Sequence, residues 1–147
     1  MEKLFHPLIV KWFREYVGIP ADIQEKAWPE IASGSHVLIT APTGSGKTLT
    51  AFLWAINELV TGKWERGTTR VLYVSPLKAL NNDIRRNLIQ PLDELKGVFT
   101  SSNKNFPGIS VMTRSGDTSE SDRRQMVRNP PEIMITTPES LNIILSS

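Results

Sequence analysis

The stretch at positions 41–48 has the residue types and spacing of a loop that binds nucleotide phosphates. Gly44 and Gly46 lack a β-carbon, so the backbone there can adopt left-handed angles and bring its N–H groups close to phosphate oxygens. Lys47 adds a positive charge for the β- and γ-phosphates, and the Thr48 hydroxyl is placed to ligate Mg²⁺. The pattern departs from its strict glycine form at one position, which holds Ala41.

The flanking residues decide between this interpretation and a glycine-serine turn followed by a chance Lys-Thr pair. The apolar run at 37–39 predicts a strand, and a helical apolar period begins at Lys47. Strand, loop and helix is the order that a phosphate-binding loop requires, and the helix N-terminus carries a partial positive charge. We therefore expect Lys47 and Thr48 to be catalytic and Thr48 to be the metal ligand. The nucleotide-binding residues of this stretch would be Thr43, Gly44, Ser45, Gly46, Lys47, Thr48 and Leu49.

The rest of the chain alternates between helical and strand patterns. Strands are predicted at 71–74, 109–112 and 133–135, with the first of them covered on both faces because its apolar run is unbroken. Helices are predicted at 4–17, 22–31, 47–60, 77–95, 119–127 and 139–145, with a kink at Pro91 in the fourth, and 97–108 is the least regular segment. This alternation predicts an α/β fold of three layers, a parallel sheet with helices on both faces.

Polar segments follow each predicted strand. They lie at 41–48, 75–79, 113–118 and 136–139 and are rich in Ser, Thr, Gly and Pro. Because ligands of such folds bind at the carboxyl ends of parallel strands, we expect all four segments to meet at one edge of the sheet.

Length and composition limit the classes of protein that this chain can represent. Its 147 residues suit one domain, and 39% hydrophobic with 22% charged residues is ordinary for a globular protein. No apolar run approaches the ~20 residues needed to span a bilayer, and His6 and Pro7 interrupt the N-terminal apolar residues too early for a secretory signal. The absence of cysteine excludes a disulfide framework and zinc-thiolate sites. We expect no membrane partner and a cytoplasmic location.

Positive charge is concentrated in one part of the chain. Residues 61–128 carry twelve Lys or Arg against seven Asp or Glu. This excess fits a partner with a phosphate backbone, and it fits solvated helix faces equally well.

Taken together, these segments resemble the first motor domain of superfamily 2 helicases. The stretch at 41–48 is similar to helicase motif I, Ser-Pro-Leu-Lys-Ala-Leu at 75–80 to motif Ia, and Thr-Thr-Pro-Glu-Ser-Leu at 136–141 to motif Ib. Three segments are similar to the large helicase-related (Lhr) family: Phe-His-Pro at 5–7 with Trp-Phe at 12–13, Leu-Lys-Ala-Leu-Asn-Asn-Asp-Ile-Arg-Arg-Asn-Leu at 77–88, and Arg-Ser-Gly-Asp-Thr at 114–118. The resemblance covers nearly the whole chain from Phe5 onward and implies a RecA-like P-loop NTPase fold.

The resemblance implies roles for residues that the loop pattern alone does not identify. Gln24 lies four residues after Pro20, as in the helicase Q motif, and a primary amide can pair with N6 and N7 of adenine. Its alternative is an exposed helix glutamine. Phe5 is a candidate for stacking on adenine, although it also fits the apolar stripe of its own helix. Ala21 stands where the Q motif usually has threonine, so any hydroxyl contact at that position is lost.

A second set of residues would by resemblance line the path of one nucleic-acid strand. Hydroxyls and free N–H groups at strand ends bind phosphates without reading bases, as a translocating motor requires. For the Ser-Pro and Thr-Pro pairs in this set, the alternative is simple helix capping. The candidates are Ser75, Pro76, Lys78, Arg114, Ser115, Gly116, Asp117, Thr136 and Thr137.

Hydrolysis of ATP requires carboxylates that hold Mg²⁺ and orient water, normally Asp-Glu after an apolar strand. The only such pair, Asp93-Glu94, lies in a helical pattern. We therefore interpret residues 1–147 as the N-terminal portion of a helicase ATP-binding domain, incomplete at its C-terminal end, with ATP and Mg²⁺ as cofactors. The parent protein would be an ATP-dependent helicase moving 3′ to 5′ on single-stranded or duplex DNA, with RNA–DNA hybrids and the remainder of the helicase chain as further partners. The alternatives are a non-catalytic nucleotide- and nucleic-acid-binding module and, with less support, a small-molecule P-loop kinase.

Overall fold

The structure, a computed structural model, describes residues 1–42, 44, 46–76 and 82–146. Within these residues the helices are α1 (Pro7–Tyr16), α2 (Asp22–Ala32), α3 (Lys47–Val60), α4 (Gln90–Ser101), α5 (Glu120–Arg128) and α6 (Pro138–Ser146). The strands are β1 (Val71–Val74), β2 (Val111–Arg114) and β3 (Ile133–Thr136). No helix of the described residues is both long enough and apolar enough to cross a membrane.

The three strands form a parallel sheet in the order β1-β3-β2. In the register, Val74 of β1 and Arg114 of β2 both lie beside Thr136, the last residue of β3. The predicted α/β class with a parallel sheet is therefore confirmed, and the carboxyl ends of three strands share one edge.

Helices cover one face of the sheet and form the hydrophobic core with it. Ile133 and Ile135 are buried on this face, and Tyr73 packs against the same core. The largest buried side chains come from the helices and include Trp12, Phe13, Trp28, Leu53 and Phe99. The four aromatic side chains among them bury large areas, so they hold α1, α2 and α4 in the same core as Leu53 of α3.

The other face of β1 is open. Leu72 and Val74 are 48% and 40% exposed, whereas their neighbours Val71 and Tyr73 turn toward the core. The prediction that this strand is covered on both faces is wrong, because side chains of a strand alternate and only one of the two sets meets a helix layer in the described part of the chain.

Residues 37–39 do not form the predicted strand. The segment has no regular structure, and Leu38 is 89% exposed. A strand forms only where a neighbouring strand accepts and donates its backbone hydrogen bonds, and no described segment pairs with these residues. An apolar run reports the tendency to be buried and carries no information on pairing.

Several predicted boundaries move by a few residues. The segment at 97–108 is less irregular than expected, since α4 continues to Ser101. Strand β2 begins at Val111 instead of 109, because pairing with β3 sets its limits. A π-helical turn, Arg85–Ile89, runs directly into α4, where Pro91 lies in the first turn, and the kink at Pro91 stays a prediction. Wide turns of this kind are a common cause of irregularity in helices.

Local capping fixes the starts of three helices. The His6 Nδ1 accepts a hydrogen bond from the Leu8 N–H at 3.0 Å and so caps α1. The Ser119 hydroxyl accepts from the Asp122 N–H and begins α5. Thr137 Oγ1 accepts from the Ser140 N–H at 3.3 Å and begins α6, as predicted from the Thr-Pro pair.

Candidate nucleotide site and adjoining strand ends

The phosphate-loop residues lie at the N-terminus of α3. Gly44 and Gly46 have φ angles of +84° and +89°, a left-handed conformation that favours glycine at both positions. Lys47 and Thr48 are the first two residues of α3 and are partly exposed, whereas the Leu49 side chain is buried in the core. Two predicted members, Thr43 and Ser45, lie outside the described residues. The N–H groups of a helix N-terminus, its partial positive charge and the Lys47 ammonium group can together hold a triphosphate.

Gln24 lies directly against this loop. Its Nε2 would be 2.8 Å from a β-carbon built on Gly46, so any larger residue there would force the Gln24 amide to shift. The Gln24 Oε1 accepts a hydrogen bond from the Ala21 N–H at 2.9 Å, which closes the first turn of α2. Gln24 is 3% exposed and is therefore not the exposed helix glutamine of the alternative interpretation. Its amide N–H groups remain directed at the loop, where a nucleotide base or phosphate could accept them.

Phe5 lies in the core, away from a position where a base could stack on it. It is 5% exposed, and its ring makes edge-on contacts with Trp28 and Trp54 at centroid distances of 4.9 and 5.5 Å. This placement corrects the stacking expectation and follows the alternative, that Phe5 belongs to the apolar surface of its own segment. Because edge-to-face contacts between buried rings are favourable, exposing Phe5 to a ligand would carry a cost in stability.

Hydrogen bonds tie together the ends of the three strands. The Ser75 N–H donates to the Thr136 carbonyl at 3.1 Å, and the Thr136 hydroxyl donates to the Arg114 carbonyl at 2.7 Å. Ser75, Thr136 and Thr137 are buried, while Pro76 is exposed at the rim. These contacts bring three of the four predicted polar segments to one edge of the sheet. Lys78, another predicted member, lies outside the described residues.

The segment after β2 forms a compact turn. Thr118 Oγ1 accepts from the Ser115 N–H at 2.9 Å and donates to the Thr113 carbonyl. Arg123 of α5 donates from Nη2 to the Ser115 carbonyl at 3.2 Å, and its Nε is buried without a hydrogen-bond partner. The predicted binding residues Gly116 and Asp117 are exposed at the tip of this turn. Sequence reasoning missed Arg123, since a charged helix gives no sign of which arginine turns inward.

Tyr73 connects the phosphate-loop helix with the strand ends, and sequence reasoning missed it as well. Its hydroxyl donates to Asp83 Oδ2 at 2.9 Å. Burial, together with the Asp83 carboxylate, raises the pKa of Tyr73 above its ordinary value. The Ser75 and Thr48 side chains lie close enough to the phenol to lower its pKa, so they partly offset that rise. The available signal was its position two residues before Ser75 on the strand face that packs against α3.

The residues present fit a magnesium nucleotide better than a metal held by protein alone. Among the described residues, no cluster of three or more His, Cys, Asp or Glu side chains could hold a metal ion. The left-handed glycines at positions 44 and 46 suit the close approach of phosphate oxygens, which usually supply ligands for Mg²⁺. A metal here would take its ligands from the Thr48 hydroxyl, the nucleotide and water.

The pair Asp93-Glu94 lies within α4, as its helical pattern predicted. Glu94 accepts hydrogen bonds from Trp12 Nε1 at 3.2 Å and from Gln90 Nε2 at 3.3 Å. These contacts join α4 to α1, so the pair does not follow a strand and is not placed to serve the phosphate loop.

Comparison with known proteins identifies relatives along nearly the whole chain. The chain is 48% identical over 144 residues to the Lhr helicase/probable uracil glycosylase of Mycolicibacterium smegmatis, covering 97% of this chain and 10% of the relative. It is 52% identical over 141 residues to the ATP-dependent helicase Lhr-Core protein 2 of Thermococcus barophilus, covering 93% of this chain and 16% of the relative. The chain thus spans a small part of the length of these relatives.

Solved structures of helicases share the fold. The Mycobacterium smegmatis helicase Lhr bound to ssDNA and AMP-PNP matches with a TM-score of 0.87 and 48% identity, covering 97% of this chain and 18% of that one. The DUF1998 helicase MrfA bound to DNA matches with a TM-score of 0.75 and 26% identity, over 96% of this chain and 18% of that one.

A sequence model described as DEAD/DEAH box helicase matches residues 21–147. That match contains Gln24, the phosphate loop and all three strand ends. The chain therefore belongs to the DEAD/DEAH box helicase family, and it is similar within that family to Lhr helicases.

Proposed function

We propose that this chain is the nucleotide-binding part of an Lhr-type motor that couples ATP hydrolysis to movement along DNA. The observation that carries the proposal is the contact between Gln24 and the phosphate loop, where Nε2 lies 2.8 Å from the β-carbon position of Gly46. A small-molecule kinase has no need for a buried glutamine at this place. A helicase motor uses one amide to recognise the base and the adjoining loop to hold the phosphates.

Each residue at the loop has a distinct task in nucleotide binding. Gln24 donates its amide N–H groups to adenine, and Lys47 neutralises charge on the β- and γ-phosphates. The Thr48 hydroxyl ligates Mg²⁺, which when bound neutralises the phosphates further. Gly44 and Gly46 let the backbone N–H groups approach the phosphate oxygens.

The strand-end residues bind a nucleic-acid backbone beside the nucleotide. Exposed groups at Gly116, Asp117 and the partly exposed Arg114 lie on the edge where Ser75 and Thr136 join the strands. Such groups contact phosphates and sugars without reading bases, which permits movement along any sequence. We propose DNA as the partner, in single-stranded or duplex form, with RNA–DNA hybrids and the remainder of the helicase chain as further partners. Movement is 3′ to 5′, and the protein works in the cytoplasm, where ATP and nucleic acid meet.

The isolated chain binds nucleotide without hydrolysing it. Its one Asp-Glu pair is engaged with Trp12 and Gln90 in α4, which leaves it unable to hold Mg²⁺ or orient water at the loop. This chain alone then behaves as the non-catalytic binding module, while the parent protein is the enzyme.

Binding of a fluorescent AMP-PNP derivative tests the proposal directly. The wild-type chain should bind in the presence of Mg²⁺. Lys47→Ala should weaken binding at least ~10-fold, because it removes a charge-assisted contact worth about 1.5–3 kcal/mol. Lys96→Ala, at an exposed position of α4 outside the predicted site, should leave binding unchanged. Steady-state ATPase that Lys47→Ala abolishes would contradict the binding-only assignment. Equal binding by wild-type and Lys47→Ala chains would refute the nucleotide site itself.

A further inference from the structure

The guanidinium of Arg123 reaches from α5 to the turn that follows β2. Its Nη2 donates to the Ser115 carbonyl at 3.2 Å. Its Nε is buried, and no acceptor among the described residues takes the hydrogen of this atom. Arg123 also forms no ion pair with a carboxylate of these residues, so its charge is not neutralised there. Because a buried N–H without an acceptor carries a cost in stability, stability alone gives no reason for an arginine at this position.

The Ser115 carbonyl is held from two sides. It accepts from Arg123 Nη2 and from the Thr118 N–H, both at 3.2 Å. The Thr118 hydroxyl accepts from the Ser115 N–H at 2.9 Å, so both backbone groups of Ser115 have partners. A carbonyl oxygen has two lone pairs, and here each of them has a donor. These contacts fix the plane of the peptide that joins Ser115 to Gly116.

The N–H of that peptide belongs to Gly116. In a planar trans peptide the C=O and N–H bonds point in opposite directions. Because the carbonyl is directed at Arg123 and Thr118, the Gly116 N–H is directed away from both. No backbone carbonyl in the described ranges accepts a hydrogen bond from it. Gly116 is exposed, and a β-carbon there would meet nothing within 4 Å, so an anion has open access to this donor.

We propose that Arg123 is a positioning residue for nucleic-acid binding, which holds the Ser115 carbonyl and so aims the Gly116 N–H at a backbone phosphate. The hydrogen bond to the carbonyl also polarises the peptide, which makes its N–H a stronger donor. A free N–H beside a cation without a carboxylate partner favours an anion, and phosphate is the anion of every nucleic-acid strand. The Asp117 carboxylate is exposed, so it can turn toward water when a phosphate binds. This inference rests on the proposed nucleic-acid edge and adds a residue that acts through the backbone of Gly116.

Affinity for single-stranded DNA tests the inference. The probe is a fluorescein-labelled oligothymidylate, titrated into the wild-type chain and its variants and followed by fluorescence anisotropy. Arg123→Met keeps a long apolar side chain but removes the donor to Ser115, so its affinity should fall about 10-fold, the effect of losing one hydrogen bond to a charged group. Arg124→Met is the matched control, because it removes the same charge from an exposed neighbour on α5 and should lower the affinity much less.

Two further measurements separate a positioning role from other roles. A direct contact between Arg123 and a phosphate would make the dependence of log affinity on log salt concentration shallower by about one in Arg123→Met. A positioning residue leaves this dependence the same as in Arg124→Met. The affinity of Arg123→Met for the fluorescent AMP-PNP derivative should stay at the wild-type value, whereas a general loss of folded structure would lower both affinities together.

The outcomes separate this inference from the proposed function. If the wild-type chain does not bind the oligothymidylate, the proposed nucleic-acid edge fails and the inference with it. If it binds, and Arg123→Met has the affinity of Arg124→Met or a salt dependence shallower by about one, the edge stands and the positioning role is wrong. Should Arg123→Met fail to fold by circular dichroism, the Gly116 amide resonance of the ¹⁵N-labelled wild-type chain decides. It should move downfield on titration with the probe, as a hydrogen bond to phosphate requires, and an unmoved resonance would overturn the inference.

Discussion

Replacing Gly46 by alanine tests the contact on which the candidate site depends. The backbone of Gly46 has a φ of +89°, and the added β-carbon would meet Gln24 Nε2 at 2.8 Å and Cδ at 3.5 Å. Two separate costs follow. One comes from the left-handed backbone, and the other comes from moving the Gln24 amide away from the loop.

The two costs can be given magnitudes from the structure. A left-handed conformation costs a residue with a β-carbon about 1–2 kcal/mol. Displacing the Gln24 amide breaks its hydrogen bond from the Ala21 N–H at 2.9 Å, which contributes about 0.5–1.5 kcal/mol. Gly46→Ala should therefore destabilise the chain by about 1.5–3.5 kcal/mol. For a domain of this size, each kcal/mol lowers Tm by about 2–4 °C.

Gly44→Ala is the matched control for the backbone cost. Gly44 has a φ of +84°, and a β-carbon there would meet nothing within 4 Å. Gly44→Ala should therefore lower the free energy of unfolding only by the cost of the left-handed backbone, about 1–2 kcal/mol. The free energy of unfolding is measured by urea denaturation of both variants, and the probe affinity by titration with the fluorescent AMP-PNP derivative.

A double-mutant cycle completes the assay. In the Gln24→Ala background the clash is absent, so adding Gly46→Ala should lower the free energy of unfolding by no more than Gly44→Ala does. The coupling energy between positions 24 and 46 should therefore be about 0.5–1.5 kcal/mol. Equal losses for Gly44→Ala and Gly46→Ala in the wild-type background, with no coupling to Gln24, would refute the packing of the glutamine against the loop.

Three further predictions concern pH, a buried carboxylate and the sheet edge. Burial, and then the nearby Lys104, lower the pKa of His6 below 6.5, and its neutral Nδ1 caps α1. Just below pH 6.5 the unfolded chain therefore binds more protons than the folded chain, so the free energy of unfolding should decrease as pH falls through 6.5. The variant His6→Asn keeps an acceptor for the helix cap but does not titrate in this range, so it should show a weaker dependence on pH. Glu132 accepts from the Ser110 N–H at 2.6 Å and the Gly67 N–H at 2.9 Å. Glu132→Gln loses one of these acceptors and should cost about 1.5–3 kcal/mol in urea denaturation. Leu72 is 48% exposed on β1, which pairs with β3 alone among the described strands. The wild-type chain should self-associate at high concentration in sedimentation velocity, and Leu72→Lys should reduce this.

Each of these predictions has a control or a contrary outcome. His36→Asn, at the exposed second histidine, should leave the pH slope intact; an unchanged slope in His6→Asn would count against the assignment. Glu139→Gln on the exposed start of α6 should change stability by less than about 0.5 kcal/mol. A wild-type chain that stays monomeric at high concentration would contradict the role of the open edge.

Local sequence determined the elements whose signals are local. The glycines and Lys-Thr of the phosphate loop, the capping of α6 by Thr137 and the apolar period of α3 all depend on residues within a few positions of one another, and each lies where the pattern predicted. Three of the four predicted polar segments, those that follow β1, β2 and β3, also meet at one edge, because the carboxyl ends of neighbouring parallel strands lie on the same side of the sheet.

Tertiary structure decided what depends on partners distant in the chain. Residues 37–39 have the composition of a strand but no neighbour to pair with, and Leu72 and Val74 lie on a face that no described helix covers. Phe5 fitted both a core and a stacking position until its contacts with Trp28 and Trp54 placed it in the core. The bond from Tyr73 to Asp83 likewise joins residues whose types predict no contact. Strand pairing and side-chain packing both join segments that are distant in the chain. The sequence of one segment therefore indicates which of its residues favour burial, but it does not determine which residues of other segments they will contact.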